Sequence, residues 1–171
     1  RLDLLVNNAG VFASGLTWDV SLDQYDWVIG VNQRSVIHGI KAFVPAMIAR
    51  GEECHVVTIA SGAGITVNPG FCSYSMTKHA VVGLTRSLAL ELARKNITVN
   101  AVCPGYTETA IVAQAVDNIV AKTGQTPEQA RHALAARNPM HRLVQPAEVA
   151  HTVIWLCLPG SESINGQALA I

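Results

Sequence analysis

Charge is scarce in this sequence, and what there is cancels. Only 14% of the 171 residues are Asp, Glu, Lys or Arg, and the two signs are equal in number, so the formal net charge is zero. A protein that grips phosphate backbones needs a basic stripe, and none is present, so nucleic acid is not an expected partner. Aromatic residues are thin as well, at 5%. No apolar run approaches the ~20 residues of a membrane-spanning helix, so no membrane partner is expected either. The four cysteines, Cys54, Cys72, Cys103 and Cys157, contain no C-x-x-C pair, and the histidines form no H-x-x-x-H, so no metal site is expected. Lying in or beside apolar segments, the cysteines read as buried free thiols of a reducing cytoplasm.

What the chain has in quantity is hydrophobic residues, 50% of the total, enough for one unit with a real core. Their pattern alternates between two kinds of segment. Leu2–Val6 is a short apolar run that stops at Asn7-Asn8-Ala9-Gly10, which reads as a buried parallel strand ending in a tight loop. Ser21 with Gln24 three residues on predicts a capping box, and helical periodicity follows from Leu22 to about Arg50. Asn32 lies inside it. An asparagine amide competes for backbone hydrogen bonds, so this position is either a tolerated surface residue or a polar group aimed into a site at a helix irregularity.

A second strand, His55–Ala60, ends in Ser61-Gly62-Ala63-Gly64, and a helix is expected from about Tyr74 to Lys95. Ile97–Cys103 is a third strand, closed by Pro104-Gly105. Helical stretches follow over Ala110–Lys122, from Pro127, and from Pro146 to about Leu158, and Gln167–Ile171 reads as a last strand. Strands alternating with helices predict an α/β fold with a parallel sheet. In such sheets ligands bind beyond the carboxyl ends of the strands. Asn7–Gly10, Ser61–Gly64 and Pro104–Thr109 should therefore line one edge together.

Near that edge, Ser73-Tyr74-Ser75-Met76-Thr77-Lys78 places a tyrosine and a lysine four residues apart, with Ser73 read as the N-cap. On a helix the pair shares one face. A free phenol, with a pKa near ~10, is a poor acid or base at neutral pH. An adjacent ammonium favours the phenolate and tunes the group for exchange with a carbonyl or alcohol oxygen. A lone pair of this kind is more often an ordinary solvated helix face. Ser61 reads either as a nucleophile or as a hydrogen-bond donor. Its surroundings, Ile59-Ala60-Ser61-Gly62-Ala63, do not match a nucleophile elbow, and no histidine is evident as its base, which favours the donor. Gly62-Ala63-Gly64 lacks the third glycine of a dinucleotide fingerprint.

Taken together, these segments resemble the short-chain dehydrogenases/reductases over nearly the whole chain. The residues that carry the resemblance are Asn7-Asn8-Ala9-Gly10, Asn32, Ser61 thirteen positions before Tyr74, Tyr74-x-x-x-Lys78, and Asn100-x-x-x-Pro104-Gly105 with Thr107 and Thr109. Pro139-x-x-Arg142 and Pro146-Ala147-Glu148-Val149-Ala150 complete the set. The resemblance implies a Rossmann-type doubly wound parallel sheet and hydride transfer between a ketone and a secondary alcohol, with NAD or NADP as cofactor. The closest pattern is that of 3-oxoacyl-thioester reductases and hydroxyacyl dehydrogenases. It further implies that Tyr74 is the general acid or base. Lys78 would hold the nicotinamide ribose and lower the tyrosine pKa, Ser61 would orient the carbonyl, and Asn32 would support a water. Asn8, Ala9 and Gly10 would lie along the adenosine side, and Pro104, Gly105, Thr107 and Thr109 would cradle the nicotinamide. Residues 106–140 would form a flap over a small carbonyl or alcohol substrate, with Tyr106, Ile111, Val112 and Phe71 as pocket candidates, ordinary packing being the equal alternative for each apolar one. A homodimer or homotetramer is implied through the two long helices. The rivals are a silent scaffold of the same fold and a serine hydrolase using Ser61.

By the same resemblance the sheet is incomplete. The first strands and the glycine-rich pyrophosphate turn of a full member are absent, roughly eighty residues, together with the residue that selects NAD or NADP. That leaves the Leu2–Val6 edge unpaired. These 171 residues alone are expected to bind nicotinamide cofactor poorly and to turn over little. Calorimetry with NADH checks this, and tight binding by the isolated chain contradicts it.

Overall fold

The computed structural model describes all 171 residues. Its strands are β1 (Leu4–Asn7), β2 (Cys54–Ile59), β3 (Ile97–Cys103) and β4 (Ala168–Ala170). They form one parallel sheet in the order β1-β2-β3-β4. Register puts Leu5 opposite Val56, Val56 opposite Val99, and Val102 opposite Leu169. All four strands run the same way, so their carboxyl ends open onto one edge. The α/β class and the parallel sheet are as the alternation of segments predicts.

The helices are α1 (Leu22–Ile29), α2 (Ser35–Arg50), α3 (Cys72–Leu92), α4 (Ala110–Thr123), α5 (Pro127–Ala135) and α6 (Pro146–Trp155). Successive strand residues point to opposite faces, so each strand feeds two cores. On one face Leu5, Val56, Val99, Ala101 and Cys103 meet Val36, Val44 and Met47 of α2 and Val81, Val82, Leu88, Ala89 and Leu92 of α3. On the other, Leu4, Val57, Ile59, Val102 and Leu169 meet Val149 and Val153 of α6 and Leu156. Helices therefore cover both faces, which is why these strands are nearly continuous in apolar residues. β1 pairs with β2 alone and leaves Val6 39% exposed.

Several local features differ from the sequence expectations. The helical run from Leu22 is interrupted by a π-helical turn, Gly30–Arg34, with Asn32 at its centre. This is the helix irregularity, and Asn32 is buried at 1% exposure rather than at the surface. Ser21 caps α1 by accepting from the Gln24 N–H, but the reciprocal half of the capping box is not formed. That motif occurs instead at α5, where Thr126 and Gln129 exchange both bonds. Ser73 is not an N-cap. α3 begins at Cys72 with Phe71 in the cap position, and the Ser73 hydroxyl, buried, donates to Ala13 O at 3.3 Å. Of the four free cysteines, Cys54 and Cys103 are buried, Cys157 is half-buried and Cys72 is exposed. No helix is long and apolar enough to cross a membrane.

Met47→Ala, in the core at 1% exposure, is expected to cost about 2–5 kcal/mol in urea unfolding. Leu90→Ala, on the same side of the sheet but 82% exposed, should stay within about 0.5 kcal/mol.

Candidate active site

The sheet's open edge is where the polar residues gather. β2 ends at Ile59, and Ser61 follows in fully extended conformation to cap a 3-10 turn, Gly62–Gly64. Its Oγ accepts from the Ala63 N–H at 3.1 Å. That bond occupies an acceptor site and leaves the hydroxyl hydrogen free to donate. The turn is tied across to the next strand end by Gly62 N–H donating to Pro104 O at 2.8 Å.

α3 delivers Tyr74 and Lys78 one turn apart. Lys78 is 4% exposed. Its ammonium donates to Ile59 O at 2.9 Å, the last carbonyl of β2, and lies 5.6 Å from the Tyr74 ring centroid. Burial pushes the Lys78 ammonium down to about 8, with the Cys103 thiol acting weakly the other way. Burial likewise pushes the Tyr74 phenol up, and the nearby Ser61 hydroxyl pulls it partly back. Lys78 does not bring the phenol down, contrary to the expectation from the sequence. Its Nζ bonds to a carbonyl, and its own charge is disfavoured by the same burial.

Asn32 links three segments. Its Oδ1 accepts from Val11 N–H at 2.7 Å, and its Nδ2 donates to Val11 O at 2.9 Å and to Thr77 Oγ1 at 3.1 Å. Thr77, fully buried, donates in turn to Tyr74 O at 2.8 Å. The π-helical turn aims this amide inward, and the amide fixes the loop after β1 against the turn of α3 that holds Tyr74. Gly10 lies beside it. A Cβ there would meet Lys78 Nζ at 3.4 Å and Asn32 Oδ1 at 3.7 Å. Asn8 and Ala9 are exposed along the same edge.

The loop after β3 completes the rim. Pro104 is buried, and Gly105 N–H donates to Ile171 O at 3.1 Å. Thr107 Oγ1 donates to Gly105 O at 3.0 Å, and Thr109 Oγ1 to Thr107 O at 3.2 Å. Asn32, Ser61, Tyr74, Lys78 and Gly10 are thus brought together, with the 104–109 loop alongside. The pocket candidates divide. Val112 is buried in a separate core between α4 and α5, with Val116, Ala130, Leu134 and Leu143, and Tyr106 packs against it. Those two are packing residues, the second of the two readings open to them. Ile111 is 40% exposed, and Phe71 shares the Phe12 ring with Tyr74 as a neighbour.

Sequence reasoning missed Phe12 and Thr77. The Phe12 ring is edge-on to Phe71 at 5.0 Å and to Tyr74 at 5.1 Å, so it braces the phenol ring from the β1 side. Nothing in the pattern around Phe12 marks it. Thr77 carried a signal, a β-branched residue inside the Tyr74–Lys78 interval of a helix.

Comparison with known proteins gives consistent matches. The family profile described as "Enoyl-(Acyl carrier protein) reductase" matches residues 1–171. The chain is 36% identical over 171 residues to the 3-oxoacyl-[acyl-carrier-protein] reductase FabG of Thermotoga maritima, covering 100% of this chain and 65% of that protein. It is 39% identical over 168 residues to the oxidoreductase UcpA of Escherichia coli, covering 97% and 62%. The crystal structure of the F189W actinorhodin polyketide ketoreductase with NADPH superposes with a TM-score of 0.92 at 38% identity, covering 99% of this chain and 65% of that one. The chain thus spans a little under two thirds of the length of these relatives.

The buried lysine makes stability depend on pH. Its pKa falls from 10.5 when unfolded to about 8 when folded, so between those values the unfolded chain holds the extra proton. Stability therefore rises with pH across that window, and below it the full cost of burying the charge is present. Relative to Lys78→Met, the wild type is expected to gain about 2 kcal/mol between pH 8 and pH 10 in paired denaturant titrations.

Proposed function

Because the chain belongs to the short-chain dehydrogenase/reductase family, we propose that the whole protein is a nicotinamide-dependent oxidoreductase. It interconverts a ketone and a secondary alcohol, using NAD or NADP. The observation that carries this reading is the grouping of Ser61, Tyr74 and Lys78 at the strand ends, with Gly10 open beside the lysine.

The residues fit such a cofactor by their donors and their shape. Lys78 uses one N–H on Ile59 O and keeps two for ribose hydroxyls. Gly10 leaves free the space that a Cβ would fill next to that ammonium. Asn8, Ala9 and Gly10 flank the adenosine side, and Pro104, Gly105, Thr107 and Thr109 the nicotinamide side. A bound nicotinamide supplies or takes up the hydride.

The chain's own residues handle orientation and the proton. Ser61 donates its free hydroxyl hydrogen to the substrate oxygen and sets the carbonyl beside the phenol. Tyr74 passes its proton to that oxygen as negative charge builds there. Tyr74 carries its proton at neutral pH, as an ordinary phenol does, and burial raises its pKa further, so it is ready to act as the acid of reduction. Oxidation requires the phenolate and so a higher pH. Asn32 Oδ1 accepts one bond and keeps a lone pair for a water that returns protons to Lys78. Exposed Phe43 and Leu90 on the outer faces of α2 and α3 supply a surface for a homodimer or homotetramer.

A 3-oxoacyl thioester is the proposed substrate class, supported by the activity named for the Thermotoga maritima relative. Residues 106–140 serve as the flap over it. A hydrolase is disfavoured, because no histidine bonds to Ser61. His55 pairs with Thr98, and His79 with Ser75 O.

NADPH and NADH oxidation with a 3-oxoacyl thioester tests the reading. Tyr74→Phe is expected to lower the rate by ~10²–10⁴ while cofactor binding persists. Wild-type reduction should slow, and alcohol oxidation quicken, as pH rises through the tyrosine pKa. Undiminished turnover in Tyr74→Phe contradicts the mechanism.

A further inference from the structure

Asn138 lies between α5 and α6, far in sequence from the strand ends, and is 6% exposed. Its amide makes three bonds. Oδ1 accepts from Tyr106 N–H at 2.9 Å, while Nδ2 donates to Tyr106 O at 2.9 Å and to Arg142 O at 2.7 Å. One side chain thus satisfies both backbone groups of Tyr106, as a neighbouring strand would. The approach is close. A Cβ on Gly105 would stand 2.5 Å from Asn138 Oδ1, so glycine at 105 and asparagine at 138 are fitted to each other.

The contact continues on both sides. Val144 N–H also donates to Tyr106 O, and Glu108 N–H donates to Val144 O, each at 2.9 Å. Thr107 and Val144 form a parallel bridge. His141 at φ 53 turns the chain sharply, its N–H donating to Asn138 O at 2.8 Å. Arg142 then pins the segment to α6 through a two-pronged pair with Glu148, at 2.6 and 2.5 Å.

We propose that Asn138 is a positioning residue for the nicotinamide end of the site. It holds the 104–109 loop in the conformation that receives the cofactor, without touching the cofactor itself. This rests on the proposed function. Truncating the side chain removes the acceptor of Tyr106 N–H and frees Arg142 O, so the centre of the loop keeps only its bond from Val144 N–H.

The test uses the whole protein with Asn138→Ala and Asn138→Asp. The aspartate variant keeps the shape and the acceptor for Tyr106 N–H but loses both donations, so it remains informative if the alanine variant folds poorly. Hydrogen exchange without ligand is read at Glu108 and Val144, whose N–H groups bond to backbone and not to Asn138. Binding of NAD and NADP is read by calorimetry. Both variants are expected to exchange faster at those two amides and to bind cofactor roughly tenfold more weakly. Gly105→Ala should weaken binding in the wild-type background and have a smaller effect beside Asn138→Ala, where the crowding oxygen is gone.

Unchanged exchange at Glu108 and Val144 overturns the clamp. Faster exchange with undiminished binding overturns its link to the cofactor, as does an equal Gly105→Ala effect in both backgrounds. A wild type that binds neither nucleotide defeats the proposed function and the cofactor half of this inference, while the exchange data still decide the clamp.

Discussion

A lysine ammonium sealed at the end of a strand is the constraint around which this structure is arranged. Lys78 is nearly out of contact with solvent, held by the last carbonyl of β2. An unpaired buried charge is unfavourable, and its lowered pKa expresses that. Such a group persists only where its neighbours fix it in place. Here they are the Tyr74 ring, the β2 carbonyl and the space beside Gly10, each set by a different element. The parallel sheet is what brings those elements to one edge.

Buried asparagines hold the edge together. Asn32 ties the loop after β1 to α3, and Asn138 ties the loop after β3 to the segment before α6. Asn100, buried within β3, donates to Ile164 O at 2.7 Å and accepts from Gln167 N–H at 3.0 Å, leading β4 into register. An amide has a donor and an acceptor on one rigid plane, so it can replace a missing strand or helix partner for a single residue. Loops that must keep a fixed shape without regular structure are stabilised this way here. Each amide uses both its oxygen and its nitrogen on backbone or side-chain partners.

The alternation of apolar strands and helical runs was readable because each strand is covered on both faces and so shows few polar interruptions. The Tyr74–Lys78 spacing was readable because four residues make one helical turn. Other features were hidden for physical reasons. The direction of the Tyr74 pKa depends on how far the phenol itself is buried and on the Ser61 hydroxyl beside it, and both are set by tertiary packing. Phe12 acts through an edge-on ring contact with a residue 62 positions away, which no local pattern records. Whether Val112 lines a pocket or packs in a core is likewise decided away from it, by α5 folding back on α4 to enclose it. Ser73 has the chemistry of a cap, yet the cap position falls two residues earlier, at Phe71, and the helix turns the Ser73 hydroxyl to Ala13.

The π-helical turn between α1 and α2 carries a length requirement. A single residue advances an α-helix by about 100°. Were one residue removed from Gly30–Arg34, the backbone could close into an unbroken α-helix with better local geometry. Val36, Val44 and Met47 would stay on the sheet, because the wide turn already absorbs the extra residue, but the Asn32 amide would swing away from Val11 and Thr77. The turn thus holds one residue more than the core stripe needs, and that extra residue is what lets the amide face inward.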